Sequence, residues 1–250
     1  MDTEASLSPD SIMHRLLKTF TDLAIWLVAL ALGIVTEIFV MVRVLKMPIG
    51  VIRLVADPRV WLSQFFQSVI TLPILTLALR WRGQKWSDLG LHKPANWMTF
   101  VRQVVYGFIV MLVLAYAIRH LIIFPLHLQS HGFPALQGNV AGFTGLMIYV
   151  LFGVGLTEEL SFRGFLQNTF VRAFRAGKTG QYAAVILTGV IFGLAHRAWG
   201  TGGMVYAGLL GTFLGGMYVW TGNLWVPVML HSLFDVNRAV QFFFSGTDLP

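Results

Sequence analysis

Cysteine is absent from the 250 residues, and charge is scarce, with Asp, Glu, Lys and Arg together making 12%. Without cysteine the chain has no disulfide, no thiol nucleophile and no cysteine-ligated metal centre. So little charge leaves too little polar surface for a soluble domain. Such domains are about 45–50% apolar, whereas this chain is 56% hydrophobic with a mean hydropathy of +0.70. Three protease signatures are missing as well: the H-E-x-x-H zinc helix, the G-x-G-D aspartyl pattern and the G-x-S-x-G elbow. There is no internal repeat and no low-complexity tract.

What is present is a series of long apolar runs, at about 22–42, 60–80, 101–124, 141–162, 182–198, 203–220 and 224–244. A bilayer-spanning helix needs about 20 such residues. The pattern predicts an all-α, polytopic membrane helix bundle of about seven transmembrane helices. A helix or re-entrant piece at 47–57, ended by Asp57-Pro58, would make eight. Residues 1–19 read as a polar N-terminal segment at the cytoplasmic surface, and 20–250 as one membrane domain. The first run lacks an A-x-A-like cleavage site and reads as a retained helix, not a signal peptide.

The net charge is +7, but the basic residues stand between apolar runs and not in one stripe. That is the pattern of cytoplasmic loops under the positive-inside rule and excludes nucleic acid as the partner. With the N-terminus cytoplasmic, the inner segments hold Arg15, Lys18, Arg80, Arg82, Lys85, Lys93, Arg102, Arg172, Arg175 and Lys178. The outer ones hold Arg43, Lys46, Arg53 and Arg59, and the loop at 125–140 holds none. Glycines four apart, Gly189/Gly193 and Gly211/Gly215, predict close helix–helix approach.

Ionisable side chains inside a membrane cost about 2.5–3.5 kcal/mol each and need a partner or a role. Glu37, Arg119, Glu158, Glu159, Arg163, His196, His231 and Asp235 lie in or at the ends of the apolar runs. Glu159 and Arg163 are four apart, on one helix face with the acid N-terminal to the base, the better orientation for an ion pair. Glu158 is turned about 100° away and faces another helix without a local partner; the alternative is one ionic network of all three. His231 and Asp235 form a second i, i+4 pair, and His196 ends the run before it. At about 1.5 Å per residue, Glu158 lies about 25 Å from its outer helix end, with His231 about 11 Å and His196 about 21 Å from their inner ends. The first two agree on the cytoplasmic half, and His196 falls deeper. Carboxylates and imidazoles on three successive helices are equipment for activating water, directly or through a metal. Ser161 and Ser232 read as helix-polar serines.

Glu158-Glu159-x-x-x-Arg163, Phe192-x-x-x-His196 and His231-x-x-x-Asp235 resemble, in order, the three motifs of the CPBP intramembrane proteases. These are also called the Abi or CAAX protease family and include the type II CAAX prenyl endopeptidase. The resemblance covers residues 155–236 and places the core at about 140–245. The loop Asp88-Leu89-Gly90-Leu91-His92-Lys93-Pro94 is similar to a segment that precedes the core in bacterial members. The resemblance implies an intramembrane peptidase in which Glu158 carries catalysis and His196 orients or deprotonates the attacking water. Glu159 and Arg163 would shape the site, Phe192 would pack beside His196, and His231 and Asp235 would stabilise the oxyanion or hold a metal. Eukaryotic relatives typically have asparagine at the position of Asp235. An amide donates to a developing oxyanion, whereas an ionised carboxylate only accepts. Asp235 therefore suits a metal ligand, an orienter of His231 or a protonated acid. Zn2+ held by His196, His231, Glu158 and Asp235 and a metal-free glutamate mechanism both fit.

The expected substrate is a membrane-associated protein or peptide cut near the cytoplasmic side. The expected setting is a bacterial inner or plasma membrane. Two other classes compete: a non-catalytic immunity or assembly membrane protein, and a proton-coupled transporter. The latter would show paired halves with broken helices, and no such symmetry is visible.

Overall fold

Capping residues set the starts of the helices that flank the first loops. Asp57 accepts from the Arg59 amide ahead of Pro58, and Asn96 accepts from the Thr99 amide, satisfying donors that a helix N-terminus leaves open. In the computed structural model, which describes residues 9–47, 57–130, 136–174 and 177–246, the chain is helical throughout its ordered elements. No strand occurs among the described residues. All but the ends of the 47–57 segment, the proposed eighth element, lies outside them.

Helix α1 (Pro9–Phe39) runs on as a π turn, Val40–Val44, and α2 is Pro58–Trp81. A 3-10 turn at Trp86–Leu89 leads to α3 (Trp97–Ile118), which ends in a π turn, Arg119–Ile123. The fourth rod is built of α4 (Val140–Tyr149), a π turn Val150–Val154, α5 (Gly155–Glu159), a π segment Leu160–Gln167 and α6 (Asn168–Ala173). Then follow α7 (Lys178–Ala195), α8 (Gly200–Thr221) and α9 (Trp225–Ser245). Among the described residues five helices are long and apolar enough to cross a membrane: Ile12–Val44, Pro58–Trp81, Trp97–Ile123, Lys178–Ala195 and Arg197–Thr221. The α4–α6 rod, the C-cap of α7 and the 21-residue α9 carry the polar residues of the motifs. Among the described residues seven rods thus correspond to the seven apolar runs of an integral membrane protein.

Two boundaries differ from the apolar runs. Helix α1 begins at Pro9, inside the segment read as polar, with Met13, Leu16 and Leu17 exposed along it. The fourth rod continues eleven residues past Phe162 to Ala173. Hydropathy falls there because Arg163, Gln167 and Thr169 enter the helix, yet all three are buried and bonded inside the protein.

Close approach at glycine brings the site helices together. A Cβ on Gly193 of α7 would lie 2.6 Å from the Met204 carbonyl oxygen and 3.0 Å from the Gly208 Cα of α8. On α8, a Cβ on Gly211 would lie 3.1 Å from Arg163 Nη2, and one on Gly215 would lie 2.7 Å from Gln167 Oε1. The glycine spacing therefore admits both a neighbouring helix and two buried polar side chains.

The loop after α2 docks on the core. Gly90, at φ +90°, sits where a side chain would strike the Gly222 carbonyl, and its own carbonyl accepts from the Leu224 amide at 2.9 Å. Tyr218 donates to the Leu89 carbonyl at 2.7 Å, and Trp86 packs on Gly164. These contacts fix where α9 begins, and hence the height of His231.

Candidate active site

The α5 segment presents two neighbouring carboxylates in different settings. Glu159 is fully buried, and its Oε1 accepts from Arg163 Nη1 at 2.8 Å. The same oxygen lies 2.8 Å from His231 Nδ1 of α9. A carboxylate accepts, so the imidazole donates through Nδ1. Arg163, also fully buried, places Nη2 2.8 Å from the Gly211 carbonyl and its guanidinium 4.5 Å above the Phe192 ring. This cation is thus held by a carboxylate, a main-chain oxygen and an aromatic face.

Glu158 is different. Its side chain is 30% exposed, and its buried Oε2 has no hydrogen-bond partner among the described residues. His231 Nε2 lies 3.9 Å from that oxygen, too far for a direct hydrogen bond. Asp235, one turn along α9, brings Oδ2 to 3.5 Å from the same nitrogen. Nε2 of His231 is therefore aimed between the two acids while Nδ1 is pinned from behind.

His196 caps the C-terminus of α7, and its Nδ1 lies 2.8 Å from the Phe192 carbonyl. A carbonyl only accepts, so Nδ1 carries the hydrogen and Nε2 of the neutral ring keeps its lone pair. The imidazole packs on the Phe192 ring with centroids 4.5 Å apart, and Phe192 meets His231 edge-on at 5.9 Å. Phe162 closes the other side of Phe192 at 4.9 Å.

All seven residues of the three motifs, Glu158, Glu159, Arg163, Phe192, His196, His231 and Asp235, thus meet in one cluster across three rods. Ser161 accepts from Trp26 Nε1 at 2.9 Å, and Ser232 donates to the Val150 carbonyl at 3.4 Å, so both serve packing. Arg119 lies elsewhere, lining a cleft of about 160 Å³ with Arg238 and Tyr206. The orientation of His231 falls to Glu159 on Nδ1, while Asp235 stands at Nε2. That cross-helix bond joins residues 72 apart in the chain, and no local spacing announces it.

The zinc reading needs three or more ligands around one point. Among the described residues no group of three His, Cys, Asp or Glu side chains is arranged to hold an ion. In this arrangement the residues do not fit a metal centre, and no step below is routed through one.

No curated protein and no solved structure matches the chain. A family model does, over a stretch that contains every residue of the cluster. The stretch matched is residues 140–237, which are similar to the Rce1-like type II CAAX prenyl endopeptidase family.

Proposed function

We propose that this protein is an intramembrane endopeptidase that hydrolyses a peptide bond of a membrane-associated protein or peptide, with water activated by Glu158 and His196. The observation that carries the reading is the contrast between adjacent acids. Glu159 is 0% exposed and shared between Arg163 and His231, whereas the Glu158 side chain is 30% exposed and its Oε2 has no hydrogen-bond partner among the described residues. A sealed acid can shape a site; only an accessible one can meet water and substrate.

In the proposed reaction Glu158 takes a proton from water as the oxygen attacks the carbonyl carbon, and the carbonyl π pair moves onto its oxygen. The same carboxyl then returns the proton to the amide nitrogen, the oxyanion pair re-forms the C=O bond, and the C–N bond breaks with its pair leaving on nitrogen. His196 accepts a hydrogen bond from the second water hydrogen through Nε2 and so orients the lone pair. His231 points Nε2 at the reacting centre because Glu159 holds its other nitrogen. The site lies about 21 Å along the rod from Arg172, counted at 1.5 Å per residue. The reading keeps the Arg82 and Arg172 ends cytoplasmic and the cleavage near the cytoplasmic side.

The test compares protein termini in membranes of cells expressing wild type, Glu158→Ala or His196→Ala. Termini present only with wild type, at equal amounts of folded enzyme, are the expected result and name the substrate. Identical termini in all three would overturn the proposal, and full biological activity of Glu158→Ala would favour the non-catalytic class.

A further inference from the structure

Asp235 leaves a gap in the reaction as written. When ionised, its carboxylate only accepts and does not take the place of an amide that donates to the oxyanion. His231 Nε2 supplies one donor at most. A second donor must come from elsewhere in the cluster wall.

Tyr149 is the last residue of α4, and the π turn Val150–Val154 separates it from α5. Nine residues at 100° each would put Tyr149 and Glu158 on opposite faces, about 180° apart. A π turn accommodates about one extra residue, which reduces the separation to about 80°. Tyr149 is thereby swung toward the face that carries Glu158. Its ring is fixed on two sides. Trp61 of α2 stacks on it at 5.5 Å and 27°. A Cβ on Gly153 would lie 2.8 Å from ring atom Cδ2, so the ring folds over the turn leading to Glu158. The phenol stands within electrostatic reach of three carboxylates, Glu158, Glu37 and Asp235, from three different rods. Its hydroxyl makes no hydrogen bond among the described residues. A phenol titrates near 10 in water, so at neutral pH it has a hydrogen to give.

We propose that Tyr149 is a further catalytic residue, its hydroxyl donating a hydrogen bond to the carbonyl oxygen of the scissile peptide as negative charge develops there. No proton is transferred. The hydrogen stays on the phenol while Glu158 carries the reacting proton from water to the leaving nitrogen. This proposal rests on the peptidase reading above and adds one donor to it. It also gives the π turn a purpose, since without it the phenol would face away.

The experiment measures the initial rate at which the Glu158-dependent termini appear in membranes, per amount of folded enzyme. Four chains are compared with wild type: Tyr149→Phe, Asp235→Asn, the double variant and Glu158→Ala. Phenylalanine keeps the ring, its stacking on Trp61 and its fit over Gly153, and removes only the hydroxyl. Loss of one oxyanion donor costs about 10²–10³ in rate, and that fall is expected for Tyr149→Phe. The double variant should recover at least tenfold over Tyr149→Phe, because asparagine restores an amide donor beside His231. A merely structural tyrosine would not be rescued by a new donor on another helix. Wild-type rate in Tyr149→Phe, or a loss that Asp235→Asn does not restore, overturns this inference while leaving Glu158 catalysis intact. Absence of any Glu158-dependent terminus overturns the peptidase reading, and this one with it.

Discussion

One oxygen of Glu159 accepts from both Arg163 and His231, at 2.8 Å each. The acid therefore neutralises a buried cation and sets the ring of a histidine on another rod. Removing one partner of a buried pair costs about 3–5 kcal/mol, because the remaining charge is left uncompensated. Glu159→Ala should lower stability by that amount and also release His231, which thermal unfolding in detergent and the terminus assay would both register. The double change Glu159→Leu, Arg163→Met removes both charges and should recover most of the stability but none of the orientation of His231. Equal losses of stability in the single and double variants would show that the pair is not the stabilising unit. Of these contacts, only Glu159–Arg163 is legible in the sequence, because helix geometry turns a spacing of four into a contact. The exposure of Glu158 and the bond to His231 depend on which helices pack together, and no spacing carries that.

Helix geometry itself changes along the fourth rod, where two π segments flank α5. Such segments are rare and concentrate at functional sites. Here they set the faces on which Tyr149 and Arg163 emerge. Sequence periodicity assumes a constant 3.6 residues per turn, which is why the run 141–162 predicts a span but not its phase. The glycine spacing is read more safely, since it requires only that a neighbour come close. Gly193 of α7 stands three residues before His196, and a methyl there meets α8 backbone at 2.6 Å. Gly193→Ala should part α7 from α8, cost about 1–3 kcal/mol as overpacking does, and reduce cleavage by moving His196. On α8, a methyl added to Gly216 would meet nothing within 4 Å, so Gly216→Ala should leave activity unchanged and stability equal or higher. Comparable damage from both substitutions would mean that helix flexibility, not close packing, is what glycine provides.

Across the whole molecule, apolar side chains face outward where a soluble protein would be polar. Leu27, Val28 and Val35 of α1, Tyr106 and Val113 of α3, and Ile186 and Val190 of α7 are all exposed. At one end of the bundle Asp22 is buried and bridges Arg82 at 2.6 Å and Arg172 at 3.2 Å. This clamp brings the start of the first apolar run together with the loop after α2 and the end of α6. Three ends rich in basic residues thereby share one face, as alternation of the rods requires. Helical spacing would pair Asp22 with Lys18, four residues before it, so the clamp to Arg82 and Arg172 is invisible in the sequence. The absence of cysteine offers a clean background for deciding which side of the membrane that face meets. Ser87, in the turn after α2, and Ser130, beyond α3, are both exposed and differ from cysteine by one atom. With the basic face cytoplasmic, Ser130→Cys should react with a membrane-impermeant maleimide in intact cells. Ser87→Cys should react only after the membrane is opened. The reverse labelling would invert the topology and place the Asp22 clamp outside, against the charge rule that orients the chain.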